Sequence, residues 1–476
     1  MKAKLLQFIK NPVTISVLIV TFFQFFSRIL GFVRQFFIWD RLSPIQSDLL
    51  LSANKIPEFI SVFLLMGTIY SSVLPVASRI ESKDPNNVKV SKYLNLVTLS
   101  LSAVILVFLG LAFAFTRTLL EFFTSKEIWD SATSSGLIED YILSTRILLV
   151  IPLAFAVQGV FGVYLTLKKS FTVFAVAGVV ANLGTILGLV LSRGDFVKVS
   201  MAMVWGWLVA DLLYLWGALR DDFVIPSFSF KSLKADFLEF KTDLKQTWLV
   251  FLPRIFLIDG FYASSFLVNP LVTSKGEITA YDIGISIQSA FFILITSLGT
   301  VFFPDLSKTL HNVKISRKEF WDKIFKYLRI SIGLGFLICI VTVVFSPVIL
   351  WFFTRIGKGQ GTEALIITIA QIASVSLIFK SAKEILSKYF YVKESLWLPV
   401  LFSTVGLIVL VISTLISFFV FKINATYAAS VGLITYEAAW LILAIYYAAR
   451  DYTEDMKGKN EIVLYTKDER ELTVVE

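Results

Sequence analysis

Apolar segments long enough to cross a bilayer recur along the whole of this 476-residue chain. A spanning helix needs about 20 mostly apolar residues. Twelve segments meet that length: 12–38, 47–77, 92–116, 138–167, 171–192, 197–219, 246–270, 279–303, 328–353, 363–391, 396–420 and 424–449. Hydrocarbon offers no partner to an unpaired backbone group, so each segment must be helical. The expectation is an all-α integral membrane protein. The first segment is too long for a cleavable signal sequence and carries Arg28 and Arg34 within it.

Composition narrows the function classes. Charged residues make up 17% of the chain, against about 25% in an ordinary soluble domain. Phe 45 and Trp 10 suit lipid-facing surfaces and interface belts. One cysteine, Cys339, rules out an intramolecular disulfide, and one histidine, His311, rules out zinc clusters and His-based triads. The expected protein is therefore no enzyme and needs no cofactor or metal.

Charge placement sets the expected orientation. The side that holds both termini and the even-numbered loops carries 26 Lys and Arg, against 9 on the other. The positive-inside rule makes that richer side cytoplasmic. The net charge of +9 then reflects topology and attraction to anionic membrane lipids rather than nucleic acid, since no basic patch lies on a separate folded domain.

The longest internal loop, 220–245, divides the chain into two six-span halves, 1–219 and 246–449, and 450–476 reads as a charged cytoplasmic tail. In both halves the second span passes through Gly-Thr and then Pro: Gly67-Thr68 to Pro75, and Gly299-Thr300 to Pro304. Tandem halves of even span number share one topology, and repeated halves in transporters place the substrate between them. In the tail, Glu461–Tyr465 could form a short strand, bind a partner or stay frayed.

Ionisable residues inside the spans are the candidate site, because each costs about 2.5–3.5 kcal/mol at the bilayer centre. Arg28 and Arg34 lie about 9 Å apart along a helix and roughly 240° apart around it, so they cannot share one narrow face. Asp48 and Lys55 lie two turns apart on one face that also passes Ser52. They could line a cavity or form an ion network that fixes helix packing. Pro57 should kink that span. Arg254 and Asp259 are five apart and poorly placed to pair with each other. Lys380, Lys383, Glu384 and Lys388 share span 10, with Lys380–Glu384 and Glu384–Lys388 both at the i, i+4 spacing. Arg146, Asp211 and Glu437 are further intramembrane charges. Cations at least as numerous as carboxylates suit an anionic head group such as a phosphate or pyrophosphate. The candidate substrate-binding set is Arg28, Arg34, Asp48, Lys55, Ser52, Arg254, Lys380 and Lys383.

The stretch Phe26-Ser27-Arg28-Ile29-Leu30-Gly31-Phe32-Val33-Arg34 resembles the first-span motif of the MurJ (MviN) family, which flips lipid II, the polyprenyl-pyrophosphate-linked cell-wall precursor. The likeness continues through Ser47-Asp48, Lys55-Ile56-Pro57 and Gly67 to Pro75. It resumes at Leu298-Gly299-Thr300, Pro304 and Leu306-Ser307-Lys308, with an echo at Ala428–Leu433. The resemblance implies the fold of the multidrug/oligosaccharidyl-lipid/polysaccharide exporter superfamily: two six-helix lobes in a V around a central cavity, working by alternating access. It places Arg28, Arg34, Asp48 and Lys55 at or near a cationic cavity.

The chain departs from the family pattern at Gln35, where Asp is usual. Ser61 and Val62 replace span-2 arginines, and Tyr281-Asp282-Ile283-Gly284-Ile285 stands near the usual span-8 arginine. Span 11 lacks the Asn and Asp of a sodium site, and twelve spans stand where many members have fourteen. The expected function is flipping of a polyprenyl-(pyro)phosphate-linked precursor such as lipid II across a bacterial cytoplasmic membrane. The expected protein is a monomer that contacts cell-wall synthesis proteins. A cation-coupled exporter of small amphiphiles and a non-transporting scaffold of the same fold are the alternatives.

Overall fold

The structure is a computed structural model that describes residues 12–64, 68–82, 87–168, 170–225, 229–254, 259–310, 317–356, 361–393, 395 and 397–457. The N-terminal lobe contains α1 (Pro12–Arg41), α2 (Pro44–Leu64), α3 (Thr68–Glu81), α4 (Val88–Ala114), α5 (Thr116–Phe123), α6 (Lys126–Ser134), α7 (Ile138–Leu148), α8 (Ile151–Leu167), α9 (Phe171–Leu191) and α10 (Phe196–Arg220). The chain continues through α11 (Phe230–Arg254) into the C-terminal lobe. That lobe contains α12 (Gly260–Val268), α13 (Glu277–Leu310), α14 (Arg317–Ile356), α15 (Glu363–Ser374), α16 (Ser376–Val392), α17 (Trp397–Leu415, widening into a π-helical turn at Ile416–Val420) and α18 (Ala425–Met456).

The twelve expected segments match these helices in order. Among the described residues, six stretches are long and apolar enough to cross a membrane: Val88–Ala114, Ile138–Leu167, Phe196–Arg220, Arg317–Ile349, Trp397–Val420 and Ala425–Met456. α15 and α16 form a seventh span, bent by 41° at the Ser374–Ser376 break. Hydroxyls relieve that break: Ser374 donates to the Gln371 carbonyl at 2.7 Å and Ser376 to the Ala373 carbonyl at 2.7 Å. The other five expected segments coincide with α1, α2–α3, α9, the end of α11 with α12, and α13. Helix starts follow ordinary capping, with Asp195 accepting from the Val197 and Lys198 amides and Asn424 from the Thr426 amide.

The two six-helix lobes form a V. They meet where α13 packs on α1 and α2 and where α12 packs on α2. Outer faces carry exposed Val107, Trp205, Leu212, Val344 and Ile442, which suits contact with lipid tails. Inner faces bury Trp39, Tyr93, Tyr141 and Tyr164 in the N-terminal lobe and Trp321, Tyr389 and Trp440 in the C-terminal one.

Two details differ from the sequence reading. The 220–245 loop is helical from Phe230, because Leu233, Phe240, Leu244 and Phe251 recur at helical spacing and turn one apolar stripe inward. The tail begins as helix: α18 runs to Met456, where Asp451 accepts from Tyr389 (2.6 Å) and Lys393 (2.9 Å), and Asp455 accepts from Trp321 (2.8 Å). Pro57 lies inside α2, and the Ser61 hydroxyl donates to the Pro57 carbonyl at 2.8 Å. Residues 458–476, and so the possible strand at Glu461–Tyr465, lie outside the described residues, as does His311. Cys339 sits in α14, 3.4 Å from the Ser374 hydroxyl.

Candidate functional site

A cavity of about 720 Å³ lies between the lobes, walled by α1, α2, α8, α9, α10, α12 and α13. Small residues let the wall helices approach. Gly178 of α9 faces Ser27 of α1, and Asn182 one turn on donates to the Ser27 carbonyl (3.1 Å), the Ser27 hydroxyl (3.2 Å) and the Gly178 carbonyl (2.9 Å). This lock fixes the rotation of α1, and with it the direction of Arg28 and Arg34. Both arginines line the cavity. Among the described residues neither has a carboxylate within 4.0 Å. The buried Arg34 Nε has no hydrogen-bond partner there. Glu58 and Asp282 act on Arg34 only at longer range.

Lys55 also lines the cavity, but its ammonium is engaged. It lies 2.9 Å from Asp282 of α13, donates to the Ser265 hydroxyl of α12 at 2.6 Å, and sits 3.6 Å from Glu58. It therefore bridges the lobes. With three cations and two carboxylates on its walls, the cavity keeps a positive excess concentrated on α1. Guanidinium and ammonium groups can engage anions by charge-assisted hydrogen bonds.

Asp48 and Ser52 are not in the cavity. They belong to a seal at the end of the lobes next to the 41–44 and 269–276 turns. Asp48 is fully buried and accepts from the Gly276 amide (2.6 Å), the Thr279 amide (2.9 Å) and the Thr279 hydroxyl (2.7 Å). The first amides of a helix lack intrahelical partners, and a carboxylate there satisfies them and complements the helix dipole. Gly276 has φ +87°, a conformation that turns its amide toward Asp48 and that a side chain would strain. Ser52 is 2.7 Å from the Tyr141 hydroxyl and accepts from Asn269 at 2.9 Å. Trp39 donates to Thr362 at 3.1 Å, and the Phe36 and Phe352 rings pack at 5.3 Å. Asp48, Ser52 and Lys55 thus share one face, as their spacing implied, and that face docks one lobe on the other.

Lys380 and Lys383 do not reach the cavity either. Lys380 lies 3.2 Å from Asp259, which caps α12 by accepting from the Phe261 amide at 3.1 Å. Lys383 lies 3.0 Å from the fully buried Glu437 and 4.6 Å from the centre of the Tyr436 ring. Of the two i, i+4 pairs open to Glu384, the one with Lys388 forms at 3.2 Å, because Asp259 draws Lys380 away. Arg254 ends α11, and its side chain lies outside the described residues. Arg146 sits over the Phe113 ring at 4.8 Å.

Sequence reasoning left out Asp282, Ser265, Asn269 and Thr279. Asp282 was legible as an acid inside an apolar segment. The other three are neutral and small, and only their contacts single them out.

Comparison with known proteins bears on the family and the fold. Residues 43–447 match the family described as lipid II flippase MurJ. Similar solved structures include the lipid II flippase MurJ in an inward closed conformation, with TM-score 0.70, 16% identity, and coverage of 92% of this chain and 90% of that one. An inward-facing multidrug-resistance MATE transporter of the MOP superfamily follows at TM-score 0.66, 15% identity, 91% and 96% coverage. A MOP superfamily transporter from Pyrococcus furiosus gives TM-score 0.62 at 14% identity, with 93% and 96% coverage. A search of curated proteins returns no match. The family match spans most of the chain, and this membrane protein belongs to the lipid II flippase MurJ family.

Proposed function

We propose that the chain flips a polyprenyl-pyrophosphate-linked cell-wall precursor of the lipid II class by alternating access, binding the anionic head at Arg28 and Arg34. The observation that carries this reading is the pair of cavity guanidiniums without a carboxylate within 4.0 Å among the described residues. A guanidinium left unpaired at membrane depth is costly, and a bound pyrophosphate satisfies it with paired hydrogen bonds. Charge bias puts the sealed end at the outer face of the cytoplasmic membrane, so the cavity opens to the side where such precursors are assembled. Both termini are then cytoplasmic, and the protein needs no second copy to complete its cavity.

Lobe rocking supplies the transport step. Breaking the Asp48, Ser52 and Lys55 contacts opens the outer end, and releasing Lys55 from Asp282 brings a third cation to the head group. The test is native mass spectrometry against lipid II, other polyprenyl-pyrophosphate sugars, bare polyprenyl phosphate and ordinary anionic lipids, with Arg34→Ala alongside. Selective retention of one polyprenyl-linked sugar, lost in the folded variant, supports the reading. Retention equal to that of ordinary anionic lipids, with drug efflux in cells, assigns the fold to small-amphiphile export instead.

A further inference from the structure

Carboxylates at membrane depth in this fold are answered by the protein, with one exception. Asp48 accepts from the Gly276 and Thr279 amides, Glu58 and Asp282 face Lys55, and Asp259, Glu384 and Glu437 each pair with a lysine. Asp211 has no such answer. It lies in α10, roughly 14 Å along the helix from Arg220 and roughly 22 Å from Phe196, so it stands near the middle of its span. Among the described residues no cation lies within 4.0 Å of it. Its Oδ1 is buried without a hydrogen-bond partner.

The helices packed on α10 supply no countercharge. They are α2, α7, α8 and α9. α9 carries no titratable residue, and the one on α8, Tyr164, donates to the Asp221 carbonyl. On α7, Glu139 and Asp140 lie in the first turn, Tyr141 bonds with Ser52 and Thr124, and Arg146 turns to the Phe113 ring. On α2, Asp48 belongs to the seal, while Lys55 holds Asp282 and Glu58. On α10 itself Lys198 holds Asp195, Arg220 sits over the Trp216 ring, and Tyr214 is one turn away.

Beside Asp211 stands Gln158 of α8, the side chain that acts on it. Gln158 is only 8% exposed, its Nε2 has no partner, and it lines the central cavity. Trp207 and Tyr214, one turn before and after Asp211, line the same cavity, and Trp207 packs on Phe155 at 4.5 Å. Asp211 is thus set one side chain back from the chamber. An ionised carboxylate buried without a partner is costly, and such a group neutralises instead. A metal ion would need several oxygen ligands, and among the described residues no three Asp, Glu, His or Cys gather to hold one. A proton needs a single oxygen. The protonated acid also complements the amide, since its O–H can donate to the amide oxygen while its carbonyl oxygen accepts the amide N–H.

We propose that Asp211 is a proton-binding site that exchanges with the central cavity past the Gln158 amide and ties the lobe cycle to pH. The site itself stands without the flippase reading, and the tie to the cycle rests on the alternating access proposed above. A ligand held by one conformation and not by another shifts the balance between them. A proton held in the conformation described here favours it in acid. Raising the pH then favours the conformation in which the sealed end opens.

The experiment has two readouts. Dicyclohexylcarbodiimide, which reacts with protonated carboxyls in apolar surroundings, is added to the purified wild type, and adducts are mapped by peptide mass spectrometry. Asp211 should be modified in mild acid and progressively less as the pH rises, and sodium should not protect it. In parallel, Ser289→Cys in a Cys339→Ser background is labelled in proteoliposomes with an impermeant maleimide. The ratio of labelling from the sealed side to labelling from the open side should rise with pH in that parent. It should stay flat when Asp211→Asn is added, since the amide keeps the shape of the neutral acid and cannot ionise. No Asp211 adduct at any pH, or protection by sodium instead of by alkali, overturns the proton site. The same rise in the labelling ratio with Asp211→Asn overturns the tie to the cycle. Neither readout uses a lipid, so failure of lipid II to bind counts against the flippase reading alone.

Discussion

In the central cavity Arg28 and Arg34 face open volume with no carboxylate within 4.0 Å among the described residues. In the C-terminal lobe Lys380, Lys383 and Lys388 lie 3.2, 3.0 and 3.2 Å from Asp259, Glu437 and Glu384. Both regions put cations at membrane depth. The first leaves its charge for something to enter, and the second cancels its charge within the fold. A buried ion pair is weak evidence of net stability, yet losing one partner is expensive because the other stays buried. The cavity should therefore answer to mutation in binding and the cluster in folding.

The largest expected effect breaks the cavity side. Replacing both Arg28 and Arg34 with Ala should abolish flipping in a reconstituted lipid-translocation assay while the protein stays folded and membrane-inserted. Next comes the cluster. Lys383→Met strands Glu437, which is fully buried, and should cost about 3–5 kcal/mol of stability, read as a lower unfolding midpoint in detergent. Adding Glu437→Leu should recover most of it, since an apolar pair of similar size is often neutral. If Lys383→Met instead abolishes transport at unchanged stability, the cluster is part of the transport path and the contrast between the regions fails.

The seal lies between these extremes. Asp48→Ala removes the acceptor of three hydrogen bonds, at a cost of about 1–3 kcal/mol for each buried donor left unsatisfied. The lobes can escape that cost by parting. A cysteine placed at Ser289 in the cavity should therefore be labelled faster by an impermeant maleimide from the sealed side in this variant than in its parent. The smallest effect is expected for Trp39→Phe, which removes one hydrogen bond to Thr362 worth about 1 kcal/mol. It should raise the same labelling rate less than Asp48→Ala does.

The spans were legible because twenty apolar residues have one stable fate in a bilayer, and the order of all twelve survives in the helices. The two-lobe V came from the family resemblance at Phe26–Arg34 together with the tandem halves. Arg28 and Arg34 could be read as cavity candidates because charge inside a span is rare. The same criterion flagged Asp48, Lys380 and Lys383, and it could not say whether a partner waits across the fold. For Asp48 two of the three donors are backbone amides, at Gly276 and Thr279, which leave no trace in side-chain chemistry, and the third is the small neutral Thr279 hydroxyl. For Lys383 the partner lies on another helix, at Glu437. The start of α11 was hidden for a different reason. Lys231, Lys234, Asp236, Glu239, Lys241, Asp243 and Lys245 made it look like a solvated loop, while the alternate face carried the apolar stripe.

That amphipathic start also fixes how the two lobes could be taken apart. α11 packs on α3 and α4 of the N-terminal lobe, with Arg79 held by Asp243 at 2.6 Å, Lys92 by Asp236 at 2.9 Å, and Tyr93 2.6 Å from Thr247. Yet the same helix leads directly into α12 of the other lobe. A chain severed between Ile225 and Ser229 would leave the C-terminal fragment carrying, at its new amino end, a ready-made plug for a socket on the N-terminal fragment. Two such pieces made separately should find each other through that plug, whereas a cut made after Arg254 would strand it on the wrong piece.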